Sequence, residues 1–420
     1  MPPAGGPSDS IGPLVDGLFR RVAGRLTAQL ARRIGTRGLE LAEDAVAHAF
    51  LQALRNWPTG GVPEQPEAWL TTVAKNAALD RLRQGRHIAA LPIDDLLADL
   101  PPGEAHFAGE IADDELALLF ACCHPALTVE QQVTLTLKLG CGFGVREIAR
   151  LMLADERAVQ QRLVRAKRIL AEDDLPVSIP AGAALDARLG AVHQALYLMF
   201  TEGHSATDAP SPIRPELVAE AIRLAELLLG HTQTATPEGS ALAALFCFHA
   251  ARLPARHDAP PLMALLEEQD RSRWDTALRD RGVIHLHRSA RGDRISPWHV
   301  EAEIAACHTL APSFAGTDWQ RLKLLYRHLT DIKPGPMPLL AAAIATGYAD
   351  GPGAGLAALD RLAAGDVGPM APYLAARAEF LGRNGDRAGA CRALDEALAL
   401  PLGRADRTLL AAKRRRMADG

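Results

Sequence analysis

The chain has 420 residues, 48% of them hydrophobic, which is enough to bury the cores of roughly two to four domains. Only 5% of the residues are aromatic, and no run alternates between apolar and polar residues, so the pattern argues against β architectures and predicts an all-α fold. The formal net charge of −4 excludes an overall basic protein, so contact with nucleic acid would need a local concentration of positive charge.

The cysteine usage and the first residues indicate the compartment. None of the 6 cysteines falls in a CxxC pair, which is typical of free thiols in a reducing environment. Residues 1–13, MPPAGGPSDSIGP, lack the charged and apolar regions of a signal peptide and are predicted to be disordered. No uncharged apolar run is long enough to span a bilayer. We therefore expect a cytoplasmic protein without a membrane partner.

Two helices are predicted between Leu14 and Leu54. The first carries apolar residues at a spacing of four up to Leu30 and ends near Gly35. The second runs from about Leu39 to Arg55 and opens with acidic residues, which favour a helix N-terminus. A loop is predicted at Trp57-Pro58 and over residues 60–66.

A third helix, from about Glu67 to Gln84, has a basic stripe. One face is apolar, with Leu70, Val73, Ala74 and Ala77. The opposite stripe carries hydroxyl, amide and basic side chains: Thr72, Lys75, Asn76, Leu79, Arg83 and Arg86. Such a stripe suits a DNA strand whose bases have left the stack. A solvated helix face explains the same pattern, and Arg81, which lies off the stripe, is compatible with a structural role.

A flexible linker is predicted over residues 87–113, because this stretch is acidic and rich in turn-forming residues. Helical patterning resumes at about Asp114. A further helix, Val129–Leu139, follows Thr128, which is a candidate N-cap.

The stretch Gly142–Leu170 predicts a helix-turn-helix. A short helix is followed by the turn Ala154–Asp155, with Asp155 as a candidate N-cap. The second helix has an apolar stripe of Val159, Leu163, Ala166 and Leu170. Its basic residues are Arg157, Arg162, Arg165, Lys167 and Arg168, and Gln161 and Val164 also point outward. Five basic residues against Asp155 and Glu156 give a local charge of +3. Arg and Gln offer paired donors to base edges in the major groove, although a solvated bundle face would look similar.

Three stretches together resemble the extracytoplasmic-function sigma factors of bacterial RNA polymerase, a branch of the sigma-70 family. They are AEDAVAHAFLQAL (42–54), AWLTTVAKNAALDRLR (68–83) and REIARLMLADERAVQQRLVRAKRIL (146–170). The first is similar to the region 2 helix that docks on core polymerase, the second to the helix that reads and melts the −10 element, and the third to region 4, which reads the −35 element.

The resemblance implies two partners, core RNA polymerase (its β′ clamp and β flap) and promoter DNA, and no cofactor. It assigns Glu43, Asp44, Phe50 and Leu54 to polymerase binding. It assigns Lys75, Asn76, Arg83 and Arg86 to the −10 strand. It assigns Arg157, Gln161, Arg162, Arg165 and Arg168 to the −35 duplex. Region 2 would occupy residues 14–86 and region 4 residues 114–174.

The remaining residues resemble a subgroup with a long extension that ends in tetratricopeptide-like repeats. FACCHPAL (120–127), YLMFTEGHSA (197–206) and EEQDRSRWD (267–275) carry this resemblance, although Thr201 and His204 depart from the Asn and Tyr usual in the subgroup. We expect a helical extension over residues 175–330 that supports or controls activity. Repeats are expected over residues 331–420, where AALDRL recurs as RALDEAL after 35 residues. Ala-rich hairpins imitate such repeats. A true array would bind a regulatory protein or peptide.

Neither catalysis nor a metal site is predicted. His285, His287, His299 and His308 lie near Glu301 and Glu303 without a register that brings them together. Cys122 and Cys123 are better explained as core thiols, and the closing run Lys413–Arg416 as a frayed solvated end rather than a nucleic-acid contact. Two alternatives stay open: a stand-alone helix-turn-helix regulator with a ligand- or peptide-sensing C-terminal domain and, more distantly, an enzyme whose site lies in the extension.

Overall fold

The structure, a computed structural model, describes residues 7–84, 108–152, 154–173, 177–204, 215–256, 264–363 and 370–419. Every regular element in these ranges is helical, which confirms the predicted all-α fold. The chain divides into two compact units. The first comprises Met1–Gly203 and Arg214–Thr234, and the second comprises His204–Ile213 and Ala235–Gly420.

Three helices open the first unit: α1 (Pro7–Ile34), α2 (Leu39–Gly60) and α3 (Pro66–Gln84). Their shared core contains Leu26, Val46 and Leu70. Helix α1 begins at Pro7, where proline fits the first turn of a helix, so the prediction of disorder is wrong for residues 7–13. Residues 1–6 lie outside the described residues. Helix α2 continues through the predicted loop at Trp57-Pro58, because the Trp57 side chain is only 2% exposed and anchors the last turn.

The buried stripe of α3 differs from the predicted one. Its fully buried residues are Leu70, Ala74, Ala78 and Leu82, at a constant spacing of four. Val73 and Ala77 are only partly buried against this core. The buried stripe is therefore rotated relative to the prediction, and Thr72, Asn76 and Arg83 keep their exposed positions.

The helix-turn-helix segment follows as α4 (Ala108–Cys122), α5 (Val129–Leu135), a π-helical turn (Thr136–Gly140), α6 (Val145–Leu151) and α7 (Glu156–Asp173). The predicted linker falls mostly outside the described residues, and its last part, from Ala108, is helical instead. Both predicted N-caps are confirmed. The Gln131 amide donates to Thr128 Oγ1 at 3.3 Å, and the Ala158 amide donates to Asp155 Oδ1 at 2.8 Å.

Two helices of the predicted extension, α8 (Ala183–His204) and α9 (Pro215–Gly230), lie almost wholly within the first unit. Arg188 Nη1 donates to the carbonyl of Phe120 at 3.1 Å, and Arg223 forms an ion pair with Glu115 at 2.8 Å. The unit boundary near residue 234 therefore differs from the predicted domain boundary at residue 175, because these contacts join α8 and α9 to α4.

The second unit contains α10 (Pro237–Ala251), α11 (Leu253–Arg256), α12 (Thr276–Ser289), α13 (Pro297–Leu310) and α14 (Trp319–Ile332). Helix α10 is buried along nearly its whole length. Gly282 of α12 lets the Phe248 ring approach, since a Cβ atom there would lie 2.8 Å from Phe248 Cε1. This close approach packs α12 against the apolar α10.

Consecutive helices α15 (Pro336–Asp350), α16 (Pro352–Ala363), α17 (Ala371–Arg383), α18 (Arg387–Ala399) and α19 (Arg404–Asp419) complete the second unit. Leu374, Ala378 and Leu394 share one core, as expected for paired helices. The assignment of these pairs as tetratricopeptide-like repeats stays a prediction.

Aromatic rings link several of these helices. Phe314 contacts Trp319, Trp319 stacks on Tyr348 at a centroid distance of 4.2 Å, and Tyr348 contacts Phe380. Gly347 provides the space for Phe380, because a Cβ atom at residue 347 would lie 2.2 Å from Phe380 Cζ.

The C-terminal helix α19 is ordered, contrary to the prediction that its basic run frays into solvent. The basic run Lys413–Arg416 is not a frayed end. Lys413 pairs with Glu379 at 2.8 Å, Arg414 with Asp395 at 2.9 Å and Arg416 with Glu268 at 2.7 Å. These carboxylates come from other parts of the same unit and fix the helix in place.

A glycine pair tests the packing of α1 on the π-helical turn. A Cβ atom on Gly24 would lie 2.6 Å from the carbonyl oxygen of Gly140, whereas Gly17, on the same helix, has nothing within 4 Å. We expect Gly24→Ala to lower the free energy of unfolding by about 1–3 kcal/mol, because backbone must move. Gly17→Ala should raise it by up to about 1 kcal/mol through helix propensity. Urea unfolding measures both, and an equal gain in the two variants would contradict the close approach.

Candidate nucleic-acid and partner interfaces

Helix α7 presents a polar face to solvent and an apolar face to the core. The predicted apolar stripe is confirmed, since Val159, Leu163, Ala166 and Leu170 are all at most 6% exposed. The outward residues are exposed as predicted, except that Arg162 is half-buried: Arg157, Gln161, Val164, Arg165 and Arg168. Gln160, which was not among the predicted site residues, is also exposed and shares this face at a spacing of three from Arg157.

This face has the chemistry of a major-groove reader. Guanidinium groups donate in pairs to guanine, and carboxamides pair with adenine. Val164, with 69% of its surface exposed, provides an apolar contact of the kind that thymine methyl groups accept. Asp155 caps the start of the helix, and α6 packs beside it, so the face is held on a rigid element.

Helix α3 exposes part of the predicted basic stripe. Asn76 and Arg83 are exposed, and Lys75 is half-buried. Arg86 lies outside the described residues. Arg81 has the structural role that its position off the stripe indicated, because its Nη1 lies 2.7 Å from Asp44 Oδ2 and ties α3 to α2.

The predicted partner helix, α2, needs one correction. Phe50 is only 4% exposed and contacts Phe19 edge to face at 4.9 Å, so it is a core residue, and its assignment to polymerase binding is wrong. Leu54 is 44% exposed, as a docking residue must be. Leu51, which was not among the predicted site residues, is 52% exposed. With Asp44, these leucines lie along one exposed stripe of α2.

Glu43 is held within the chain by two lysines. Its carboxylate pairs with Lys138 Nζ at 3.1 Å and also with Lys167 Nζ, so the N-terminal helices are bound to both the π-helical turn and α7. Burial alone would raise the pKa of Glu43, but the attraction of the Lys167 and Lys138 ammonium groups outweighs it and lowers the pKa. We name this contact the Glu43 clasp.

The C-terminal end of α7 is also tied to the N-terminal helices. Thr36 Oγ1 donates to the carbonyl of Leu170 at 2.7 Å, and Arg37 Nε donates to that of Ala171 at 3.3 Å. Both residues belong to the short 3₁₀ turn that joins α1 to α2. The last carbonyls of a helix lack partners within it, so this turn acts as an external cap.

Glu115 connects three parts of the first unit. Its side chain, 5% exposed, lies 2.8 Å from Arg223 Nη1 of α9 and 3.7 Å from Arg25 Nε of α1. Burial raises the pKa of Glu115, and the nearby Arg223 guanidinium opposes that rise. We name this contact the Glu115 junction.

The residues considered for metal binding have other contacts. His299 Nδ1 accepts from the Ser296 amide at 3.1 Å at the start of α13. Glu301 pairs with Lys333 and Glu303 with Arg321. Burial raises the pKa of the Cys123 thiol to about 12. Over the described ranges, no three His, Cys, Asp or Glu residues come close enough to hold a metal ion, and no helix has the length and apolar character needed to cross a membrane.

Comparison with known families identifies three segments. Residues 18–88 match Sigma-70 region 2, residues 117–170 match Sigma-70, region 4, and residues 188–290 match a family of unknown function, DUF6596.

Two curated relatives cover different parts of the chain. The uncharacterized protein R00370 of Rhizobium meliloti is 39% identical over 331 residues, 78% of each chain. The ECF RNA polymerase sigma factor SigM of Mycobacterium tuberculosis is 30% identical over 156 residues, 37% of this chain and 74% of the relative. No solved structure matches.

The Glu43 clasp can be measured by a double-mutant cycle. Glu43→Gln and Lys167→Met should each destabilise the first unit, and together by less than their sum, with a coupling energy of about 1 kcal/mol. Because the pKa of Glu43 is below its ordinary 4.5, the contact stabilises the unit above about pH 4.5 and is lost as the pH falls through the lowered value. Denaturant unfolding at pH 7 and at acidic pH gives both results. Additive effects at pH 7 would show that the two side chains do not interact.

Proposed function

The chain belongs to the extracytoplasmic-function sigma-70 factors, and from this we propose that it binds core RNA polymerase and directs initiation at promoters with −10 and −35 elements. The observation that carries the proposal is the exposed basic face of α7 on a buried apolar stripe. In this function the protein makes and breaks no covalent bonds, since the polymerase adds the nucleotides.

The −35 duplex would be read by the exposed face of α7. Arg165 and Gln161 occupy the middle of this face, and their side chains are the proposed base readers. Arg157 and Arg168 flank them, and guanidinium groups in such positions contact phosphates. Arg162 would add only long-range attraction, since it is half-buried.

The −10 strand would lie along α3. Asn76 and Arg83 are exposed, and Lys75 lies beside them. Arg86, which lies outside the described residues, is the fourth residue proposed for this contact. A single strand suits this helix, because amide and basic groups bind unpaired bases and backbone phosphates without a groove.

Core polymerase would dock on the exposed stripe of α2 through Asp44, Leu51 and Leu54. Two leucines about half exposed on one stripe suit a partner with apolar groups. Asp44 is paired with Arg81, but its side chain remains 57% exposed and can also meet a basic group of that partner. Glu43 would join this surface only after the Glu43 clasp opens, because its carboxylate is bound to Lys138 and Lys167.

Promoter binding would therefore require the first unit to open. The −10 and −35 elements lie roughly 85 Å apart, at about 3.4 Å for each base pair. The chain between α3 and α4, residues 85–107, can reach at most roughly 75–85 Å, so it covers this separation only together with the width of the helices on either side. The Glu43 clasp and the Glu115 junction oppose opening, so the extension, which supplies Arg223, would regulate access to the promoter.

The alternative is a stand-alone helix-turn-helix regulator that does not replace a sigma subunit. Purified chain added to core polymerase distinguishes the two. A sigma factor yields specific run-off transcripts from a cognate promoter, whereas the alternative yields none and does not co-purify with core polymerase.

The contribution of one base-reading side chain can be tested directly. Arg165→Ala should weaken holoenzyme binding to its promoter by about 1–3 kcal/mol, because a paired guanidinium contact is lost. Arg361→Ala, which removes an exposed arginine from α16, is the matched control and should leave affinity unchanged. Quantitative footprinting measures both, and equal affinities would remove Arg165 from the interface.

The role of the extension can be tested with two truncations. The form that ends at Thr234 keeps α8 and α9, whose Arg188 and Arg223 contact α4. The form that ends at Asp174 lacks both helices and therefore both arginines. We expect the shorter form to differ from full length in run-off transcription by about tenfold or more, because Glu115 loses its main counter-charge. The form that ends at Thr234 lacks only the second unit, so it separates the effect of removing that unit from the effect of removing α8 and α9. Identical transcription by all three forms would show that the extension has no regulatory role.

A further inference from the structure

The second unit contains a cluster of cations around one indole ring. The Arg271 guanidinium lies 4.4 Å from the centre of the Trp274 ring, and that of Arg252 lies 5.8 Å from it. Arg271 Nη1 also donates to the carbonyl of His308, at 2.9 Å. We call Arg252, Arg271, Trp274 and His308 the arginine–tryptophan cluster. It joins the end of α10, the 3₁₀ turn Arg271–Arg273 and α13.

The two arginines of this cluster have neutral partners. The hydrogen bond of Arg252 goes to Gln269 Oε1, at 3.3 Å, and those of Arg271 go to the carbonyls of His308 and Ala311. In the part of the chain that the structure describes, neither guanidinium contacts a carboxylate. Half-buried arginines without an anionic partner are unusual, because desolvating a charge costs free energy that an opposite charge normally offsets.

The electrostatic field around the cluster is positive. Burial lowers the pKa of Arg252 to about 10, and the neighbouring guanidinium groups of Arg256 and Arg271 lower it in the same direction. Burial likewise lowers the pKa of His308 to about 4, again with Arg252 and Arg271 acting in the same sense. Because these basic groups all disfavour one another's charged forms, an anion placed among them would be strongly attracted.

Three polar atoms of the cluster also lack hydrogen-bond partners among the residues that the structure describes. They are Arg271 Nη2, Trp274 Nε1 and His308 Nδ1, each buried. An unpaired buried donor is costly, and native structures contain few of them. Arg271 Nη2 and Trp274 Nε1 can only donate, so what is missing beside them is a hydrogen-bond acceptor.

We propose that the arginine–tryptophan cluster is a binding site for a small anion that carries a phosphoryl group. A phosphoryl group has oxygens in several directions and can accept from two guanidinium groups and an indole N–H at once, whereas a carboxylate has only two oxygens. The three unpartnered atoms lie inside the unit, which favours a small ion over the phosphate of a protein or nucleic acid.

The site is separate from the proposed transcription function. Arg252, Arg271 and Trp274 fall within residues 188–290, the segment that matches a family of unknown function. Arg271 and Trp274 belong to the stretch EEQDRSRWD, which no part of the promoter-binding proposal uses. Phosphoryl binding by this unit would give that segment a role in sensing a small ligand.

The test measures binding of inorganic phosphate to the full-length protein by calorimetry, and thermal unfolding in phosphate and in chloride of equal ionic strength. Phosphate should raise the melting temperature of the wild type by about 2–4 °C. Arg252→Met should bind phosphate about tenfold more weakly or worse and lose this rise. In chloride alone it should melt no lower than the wild type, because a like charge has been removed.

A matched variant separates the site from general anion binding. Arg392→Met removes an exposed arginine from α18 and should keep the wild-type response. A phosphomonoester such as glycerol 3-phosphate distinguishes the sources. Tighter binding than phosphate indicates an organic phosphate ligand, and equal binding indicates the free ion.

Two results would overturn the proposal. One is wild-type phosphate affinity in Arg252→Met. The other is a wild type that does not bind phosphate, together with a lower melting temperature in chloride for Asp208→Asn or Asp258→Asn. Both aspartates lie outside the described residues. That outcome would identify a carboxylate of the chain itself as the counter-charge.

Discussion

The first unit depends on the buried carboxylate of Glu115. This side chain is stable inside the protein only because Arg223, and more distantly Arg25, offset its charge. The two arginines come from opposite sides of the helix-turn-helix segment in the sequence, so one acidic residue links α1, α4 and α9. Apolar packing alone would let these helices separate at a cost proportional to area. With a shared buried charge, moving any one of the three helices away leaves a buried charge without its full set of partners, which costs free energy.

Local patterns explain what the sequence could predict. The buried stripe of α7 and the caps at Thr128 and Asp155 depend on residues within one or two turns, so spacing and residue type suffice to find them. The exposed face of α7 follows from the same periodicity. The family resemblance then supplied the function, because a basic helix alone does not distinguish a DNA reader from a solvated bundle face.

Contacts distant in sequence explain what the sequence could not predict. Whether Phe50 or Leu51 faces outward depends on where Phe19 lies, and Glu43 meets Lys167, which is 124 residues away. The arginine–tryptophan cluster likewise combines Arg271 and Trp274, from the stretch EEQDRSRWD, with Arg252 and His308, which are distant from it in sequence. A helical extension was predicted, but no local pattern indicates that α8 and α9 belong to the first unit, because this depends on the contacts of Arg188 and Arg223 with α4.

The ring contacts from Phe314 to Phe380 have a consequence for the mechanical behaviour of the second unit. Stacked helix pairs in an open array usually fray from a free end, one pair at a time. Here the rings couple α14, α15 and α17, and the Arg416–Glu268 pair returns the last helix to a segment that precedes α12. The C-terminal end is therefore not a free end. Under tension or protease attack, these helices should unfold together rather than one after another from the C-terminal end.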